Sequence, residues 1–152
     1  MAKSKKTAKK PAPKISAGQR IVDEFDRQVA LGREKMAHEP YAARVVNVVV
    51  TVRCEKDMEG FDSIFEQALT ADELQLLAEG LKRLGEAALA KEFAGVLKAL
   101  KEDGVYKHMN WNKVSDTVKR KIELAEERIG DELWDLDEKL AALLDENPAG
   151  PR

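Results

Sequence analysis

The chain has 152 residues, of which 43% are hydrophobic, 36% charged and 5% aromatic, with a formal net charge of −2. This length suits one domain that buries a core without disulfides or metals, and the single Cys54 excludes an internal disulfide. No apolar run approaches the roughly 18 residues that cross a bilayer, and no apolar stretch follows the N-terminal lysines as in a secretory signal. We therefore expect a helix-rich cytoplasmic domain that is neither secreted nor membrane-bound.

Basic residues are concentrated at the N-terminus. Residues 1–14 contain no acidic residue and six lysines: Lys3, Lys5, Lys6, Lys9, Lys10 and Lys14. They include no bulky apolar residue after Met1, so we expect a disordered basic tail. Such a tail either contacts nucleic-acid phosphates or only raises solubility. The remaining residues carry 20 basic and 28 acidic side chains, a net charge of −8.

The folded domain is expected to span residues 15–148. Apolar residues at helical spacing predict a first amphipathic helix over residues 17–37, which ends before Pro40. The apolar face of this predicted helix consists of Ile21, Val22, Phe25, Val29 and Met36.

Residues 44–54, RVVNVVVTVRC, have the composition of a β-strand. Their apolar residues do not alternate, however, and the polar residues step by 3, 4 and 4 positions: Arg44, Asn47, Thr51 and Glu55. This spacing is typical of the polar stripe of a helix. Valine costs up to about 0.7 kcal/mol relative to Ala in a helix, whereas burying its side chain gains about 1.5 kcal/mol. We therefore predict a buried helix over residues 41–57, with a fully buried strand as the alternative.

A short helix is expected next. Gly60 should end or bend the valine-rich helix, because glycine adopts the conformations that terminate helices. Phe61, Ile64 and Phe65 then follow at helical spacing and predict a short helix that faces the core.

A helical hairpin is predicted after this short helix. Thr70 and Glu73 have the T-x-x-E form of a capping box, so the first helix of the hairpin should begin at Ala71. Gly85 should end it in a left-handed conformation, and the second helix should close near Gly104. The apolar residues of the two helices are Leu74, Leu77, Ala78, Leu81 and Leu84, then Leu89, Phe93, Val96, Leu97 and Leu100.

Residues 104–113, GVYKHMNWNK, form the longest irregular stretch inside the domain. Their rings are expected to be pinned to the core, or alternatively to form a recognition surface. An apolar seam then predicts helix up to Pro148, with Gly130 as the position where it can break. The seam consists of Val118, Ile122, Ala125, Ile129, Leu133, Leu136, Leu140 and Leu143.

Acidic residues are concentrated near the C-terminus. Residues 121–147 contain ten acidic and three basic side chains. Five of the acids form a row opposite the apolar seam on a helical wheel: Glu123, Glu127, Asp131, Asp135 and Glu138. Neighbours at this spacing lie about 5–6 Å apart at Cβ, which is comparable to the spacing of phosphates in nucleic acid. The row is either a binding surface for a DNA-binding protein or the solvated face of an amphipathic helix.

No catalytic or metal-binding motif is present. His38 and His108 lie 70 residues apart without metal-ligand spacing, and the chain lacks the G-x-S-x-G, P-loop and G-x-G-x-x-G motifs. Cys54 is expected to be a buried structural thiol rather than a nucleophile. We therefore predict no enzymatic activity, no cofactor and no metal.

Three segments carry a family resemblance: PYAARVVNVVVTVRCEKDMEGFDSIFEQ at 40–67, the L-x-x-L-G-x-x-x-x-A-x-x-F pattern at 81–93, and ELWDLDEKLAALLDENP at 132–148. Together they resemble the small bacterial domain named after the C-terminal part of a DNA-mimic protein. The resemblance covers residues 18–148. It implies an all-α fold and an acidic, dimeric protein, whose characterised relative blocks a DNA-binding protein by imitating the charge of DNA.

The resemblance transfers to individual positions of this sequence. The matching residues are Gly60, Phe61, Phe65, Gly85 and the pair Leu136-Asp137. This chain departs from the family by having Asp57-Met58-Glu59 where the family motif has Asn-Asn-Gly, and by having Gln67 after Phe65 rather than before it.

The sequence thus predicts a single all-α bundle of about six helices with a disordered lysine-rich tail. The predicted function is that of a non-enzymatic protein-interaction domain, in which the acidic row binds a basic or DNA-binding protein. The alternative is a nucleic-acid-associated protein that contacts phosphates through its N-terminal lysines. A homodimer is implied by the family resemblance.

Overall fold

The structure, a computed structural model, describes residues 15–104 and 114–146, apart from the side chain of Gln67. Within these ranges there is no β-strand, and six helices have ten residues or more. They are α1 (Ala17–Leu31), α2 (Tyr41–Met58), α3 (Ala71–Arg83), α4 (Ala87–Glu102), α5 (Asp116–Arg128) and α6 (Asp137–Glu146). Shorter helical turns are Arg33–Met36, the π-helical Ile64–Ala68 and the 3₁₀-helical Glu132–Leu136.

The predicted all-α bundle is confirmed for this part of the chain. The predicted basic tail and the aromatic stretch 105–113 lie outside the described residues, as does the end of the chain after Glu146. Among the helices that are described, none is both long and apolar enough to cross a membrane.

Helix α2, which contains the valine-rich segment, lies at the centre of the bundle. It packs against α1, α3 and α6, and Val45, Val46, Val49 and Val52 are fully buried. Because α2 is covered on several sides, burial of its valines outweighs their modest helix propensity. The prediction of a buried helix is therefore confirmed, and the strand alternative is wrong.

Helix α3 approaches α2 closely at Gly80. A Cβ atom on Gly80 would lie 2.8 Å from Cγ1 of Val45, which is shorter than a normal carbon–carbon contact. The missing side chain therefore allows the two helices to pack at this distance.

The predicted helix boundaries around the hairpin are confirmed. The N–H of Glu73 donates to Thr70 Oγ1 at 3.2 Å, and the N–H of Thr70 donates to Glu73 Oε1 at 2.9 Å. This reciprocal capping box starts α3. Gly85 follows α3 with φ of 84°, the left-handed conformation that glycine tolerates.

Three phenylalanines form an aromatic cluster in the core. The ring of Phe61 lies 5.4 Å from that of Phe65 and 5.9 Å from that of Phe93, measured between centroids. All three side chains are buried. Phe61 and Phe65, two of the residues that carry the family resemblance, therefore have a packing role.

Two predictions about the first helix are wrong. It does not continue over residues 17–37, because Gly32 has φ of 89° and separates α1 from the turn Arg33–Met36. Its buried face is also different, since Val22 and Val29 are 52% and 62% exposed whereas Gln28 is 1% exposed. The Gln28 amide donates to the carbonyl of Ala43 on α2 at 2.7 Å, which turns this polar side chain inward.

The C-terminal apolar seam is buried along its whole length, as predicted, but three consecutive elements carry it. Ile129 leaves the helical conformation with φ −90° and ψ 105°, close to the break expected at Gly130. The 3₁₀ turn and α6 follow. The break allows α5 to pack against α4 while α6 packs against α1 and α2.

Candidate functional site

The five acidic residues predicted to form one row do not share a helix. Glu123 and Glu127 lie on α5, and Glu138 lies on α6. Between them, Asp131 directly precedes the 3₁₀ turn and Asp135 lies within it. The prediction of one continuous acidic helix face is therefore wrong, because the chain turns between α5 and α6 to bury both ends of the seam. We call these five residues the acidic surface.

All five residues of the acidic surface are exposed, as predicted. Glu123 accepts a hydrogen bond of 2.9 Å from Arg120 one helical turn away. The other four carboxylates form no ion pair within residues 15–104 and 114–146. Their charge is therefore not neutralised by a described side chain.

Two basic residues near the acidic surface are paired with acids in or next to α4. Arg128 lies 3.3 Å from Glu92 of α4, and Lys139 contacts Glu86, which precedes α4. These ion pairs hold the bases toward the α4 side. The carboxylates of the acidic surface thus keep a local excess of negative charge.

Trp134 is an exposed aromatic residue within the same segment. Its side chain is 43% exposed, and the guanidinium of Arg53 lies 5.3 Å from its ring centroid. An exposed tryptophan among charged residues has the composition of a protein-binding hot spot. The sequence analysis did not single it out, because periodicity alone does not indicate whether a tryptophan is covered.

A second candidate site is a groove between α1, α2 and the start of α3, with a volume of about 560 Å³. We call it the α1–α2 groove. Its apolar lining includes Phe25, Val29, Met36, Val48, Leu69 and Leu76. Volumes of this size and apolar character are typical of pockets that bind small molecules.

The polar side of the α1–α2 groove is one face of α2. Arg44, Asn47 and Thr51 line the groove and are half-buried. They are three of the four polar residues whose spacing predicted the helix. The sequence thus contained a signal for this site, namely a polar stripe on a helix whose other faces are apolar. The sequence did not indicate how α1 and α3 pack against α2, and therefore did not show that the stripe lines a groove.

The remaining candidate residues for which the structure gives positions do not form a site. Cys54 is exposed, so the prediction of a buried thiol is wrong; it lies in the last turns of α2, where Asp57 and Met58 are exposed as well. His38 is exposed. No group of three or more metal-ligating side chains occurs among the residues with described positions.

Comparisons with known proteins give no relative from which function could be transferred: no family model, curated protein or solved structure matches the chain. The resemblance to the DNA-mimic domain family remains an expectation drawn from the sequence. The argument for function therefore depends on the acidic surface and the α1–α2 groove.

Proposed function

We propose that this chain is a non-enzymatic interaction domain whose acidic surface binds a positively charged protein. The observation that carries the proposal is that four exposed carboxylates, those of Glu127, Asp131, Asp135 and Glu138, have no ion-pair partner among the described residues. Unpaired surface carboxylates raise the association rate with a basic surface and disfavour acidic partners.

The partner that fits this surface best is a nucleic-acid-binding protein, because such proteins carry extended basic surfaces. The family resemblance supports the same class of partner. The acids are distributed over three elements. They would therefore bind through charge complementarity and need not reproduce the regular spacing of phosphates in DNA. Trp134 would add an apolar anchor to an otherwise electrostatic contact.

The test is affinity capture from nuclease-treated lysate with two matched variants of the full chain. The first variant changes Glu127, Asp131, Asp135 and Glu138 to Lys. The control variant changes four other exposed acids to Lys, which alters the net charge equally: Asp26, Glu34, Glu79 and Glu102. We expect the first variant to lose the captured protein and the control to retain it.

Two measurements make the result interpretable. Circular dichroism and thermal unfolding check that both variants remain folded, which we expect because all eight positions are exposed. Binding of the captured protein should weaken as salt is raised, because exposed charges are screened. The proposal would be contradicted if the captured protein still bound the first variant and its binding did not weaken at high salt.

The nucleic-acid alternative is tested separately by deleting residues 2–14. Six lysines without an acid in this stretch favour nonspecific phosphate contact. If the alternative is correct, the deletion abolishes retention on DNA or RNA, whereas the acidic-surface variant retains it. If the proposed function is correct, the deletion leaves capture of the basic protein unchanged.

A further inference from the structure

We propose that the α1–α2 groove binds an amphiphilic carboxylic acid, with the acid group at Arg44 and the apolar chain against α1 and α3. This inference is independent of the acidic surface, which lies on other elements of the bundle. It rests on the groove's shape and apolar lining, on polar side chains whose hydrogen-bonding capacity is unused, and on the distribution of charge around the groove.

The apolar part of the groove suits a hydrocarbon chain. Phe25 and Leu76 are half-buried and Val29 is exposed, so a ligand would cover apolar surface that water now contacts. Buried Val48 and Met36 also belong to the lining. Covering apolar surface of this kind is favourable by about 25 cal/mol per Å², which supplies a driving force for an apolar chain.

Arg44 supplies the charge that selects an acid. Its Nε donates to the carbonyl of Glu39 at 3.1 Å, but its guanidinium forms no ion pair with a carboxylate of the described residues. A guanidinium has five N–H donors and pairs with carboxylates through two parallel hydrogen bonds. Arg44 is half-buried, which strengthens such a pair relative to one on the open surface.

Asn47 and Thr51 extend the polar side of the groove along α2. Neither side chain takes part in a hydrogen bond between described residues. Because they follow Arg44 at helical spacing, they lie on its face of the helix. Asn47, one helical turn from Arg44, offers amide donors on the same side of the groove, and Thr51 continues this polar side one turn further.

Gln28 is a further unsatisfied group in the lining of the groove. It is 1% exposed, and its Nε2 donates to Ala43 O at 2.7 Å and to Glu24 Oε2 at 2.6 Å. These two acceptors fix the orientation of the amide, which leaves Oε1 buried without a hydrogen bond in the described part of the chain. An ionised carboxylate has no hydrogen to donate to this acceptor, so Gln28 Oε1 does not contact the acid group, which binds at Arg44 instead.

The charges at the rim favour an acid over an amine. Arg33 and Glu73 neutralise each other in an ion pair across the groove. Of the other two charged residues in the lining, Asp72 is exposed and lies in the first turn of α3, whereas Arg44 is half-buried. Solvent therefore screens the negative charge more than the positive one, and the free N–H groups of the helix terminus offset it further.

The experiment is isothermal titration calorimetry of the full chain with decanoate and, as an uncharged analogue, decan-1-ol. We expect decanoate to bind with one-to-one stoichiometry and decan-1-ol to bind about tenfold or more weakly, because it cannot form the charge-assisted hydrogen bonds. Arg44→Gln should remove this preference, whereas Arg44→Lys should retain part of it. Arg120→Gln, an exposed arginine outside the groove, should leave the affinity for decanoate unchanged.

A second pair of variants locates the ligand. Val29 lines the groove, whereas Val22 lies on the same helix, is similarly exposed and does not line it. Val29→Glu should therefore reduce decanoate binding by about tenfold or more, through charge repulsion and lost apolar contact, and Val22→Glu should have no effect. The two variants are expected to unfold at the same temperature, since both replace an exposed valine.

Three outcomes would overturn the proposal. The first is the absence of binding for every straight-chain acid from hexanoate to tetradecanoate. The second is binding that Arg44→Gln and Val29→Glu leave unchanged, which would put the acid elsewhere. The third is a dimer, measured by analytical ultracentrifugation, that Val29→Glu dissociates and decanoate does not, which would make a second copy of the chain the occupant of the groove.

Discussion

Arg53 on α2 and Asp137 at the start of α6 are joined by an ion pair of 2.7 Å between Nη1 and Oδ1. The side chain of Arg53 is 6% exposed and that of Asp137 is 32% exposed. Nε of Arg53 also donates to the carbonyl of Leu133 at 2.6 Å. The central valine-rich helix thus holds, through one guanidinium, the place where the chain turns between α5 and α6.

Removing the carboxylate of this pair should destabilise the fold. Asp137→Ala leaves the buried guanidinium of Arg53 without its counter-charge, and we expect the free energy of unfolding to fall by about 1–3 kcal/mol. The partial exposure of Asp137 keeps this below the cost of breaking a fully buried pair. Urea denaturation followed by circular dichroism measures the change.

The matched control breaks an exposed ion pair of the same helix. Arg20 and Asp145 lie 2.8 Å apart, with side-chain exposures of 39% and 69%. Because solvent screens this pair, Asp145→Ala should cost no more than about 1 kcal/mol. Equal costs for Asp137→Ala and Asp145→Ala would contradict the role assigned to Arg53.

A methyl group at Gly80 should disrupt the contact between α2 and α3. Gly80→Ala places Cβ against the γ-carbons of Val45, and valine has little rotameric freedom to move away. We expect overpacking to cost about 1–3 kcal/mol, offset in part by alanine's better helix propensity. Gly95→Ala on α4 is the control: beyond the local backbone of α4, nothing lies within 4 Å of its added Cβ, so thermal unfolding should show unchanged or higher stability.

The capping box of α3 should contribute measurably to stability. Thr70→Ala removes the hydroxyl that accepts from the N–H of Glu73, and we expect a loss of about 1 kcal/mol in chemical denaturation. Thr117→Ala changes an exposed threonine in the first turn of α5 and should not lower stability. A similar loss for both variants would show that the effect comes from threonine itself rather than from the cap.

Stability should fall at high pH through Tyr41. Burial raises the pKa of the Tyr41 phenol above its ordinary value of 10.0, with a further increase from Glu79 against the opposing charges of Arg83 and Arg44. Because the folded state disfavours the phenolate, ionisation of Tyr41 lowers the free energy of unfolding. The stability of the fold is therefore unaffected by Tyr41 below the unfolded pKa and falls as pH rises from there through the folded pKa.

Ultraviolet titration of the phenolate tests this prediction. In a Tyr106→Phe background, Tyr41 is the remaining tyrosine of the chain. In the folded variant, Tyr41 should ionise at a higher pH than in the same variant in denaturant, where its pKa should approach about 10. Coincident titrations in the folded and unfolded states would contradict the prediction.

Local sequence features predicted most of the secondary structure correctly. The polar stripe of Arg44, Asn47 and Thr51 distinguished helix from strand in the valine-rich segment. Thr70 with Glu73, and Gly85, marked the limits of α3, because caps and left-handed glycines act within a few residues of the chain. The exposure of the five acids was predicted from their position opposite the apolar seam.

Most of the incorrect predictions concern contacts between distant residues, whereas the break of the first helix at Gly32 is a local backbone feature. Periodicity placed Val22 and Val29 on the buried face of α1, but the hydrogen bond from Gln28 to Ala43 sets the rotation of that helix. The acidic row was placed on one helix face although a break was expected at Gly130, because the hydrophobic spacing continues through Ile129, where the chain turns. The α1–α2 groove was not predictable, since its shape depends on how three successive helices pack against one another.

The sequence by itself determined the helical class, the limits of α3 and most of the core residues, because propensity, capping and burial of apolar side chains depend on residue type and near neighbours. Only the tertiary structure decided which face of α1 is exposed, how the acidic surface is divided and where a groove remains open. These features depend on how the helices pack around α2, where Arg53 and Gln28 form hydrogen bonds to groups distant in the sequence.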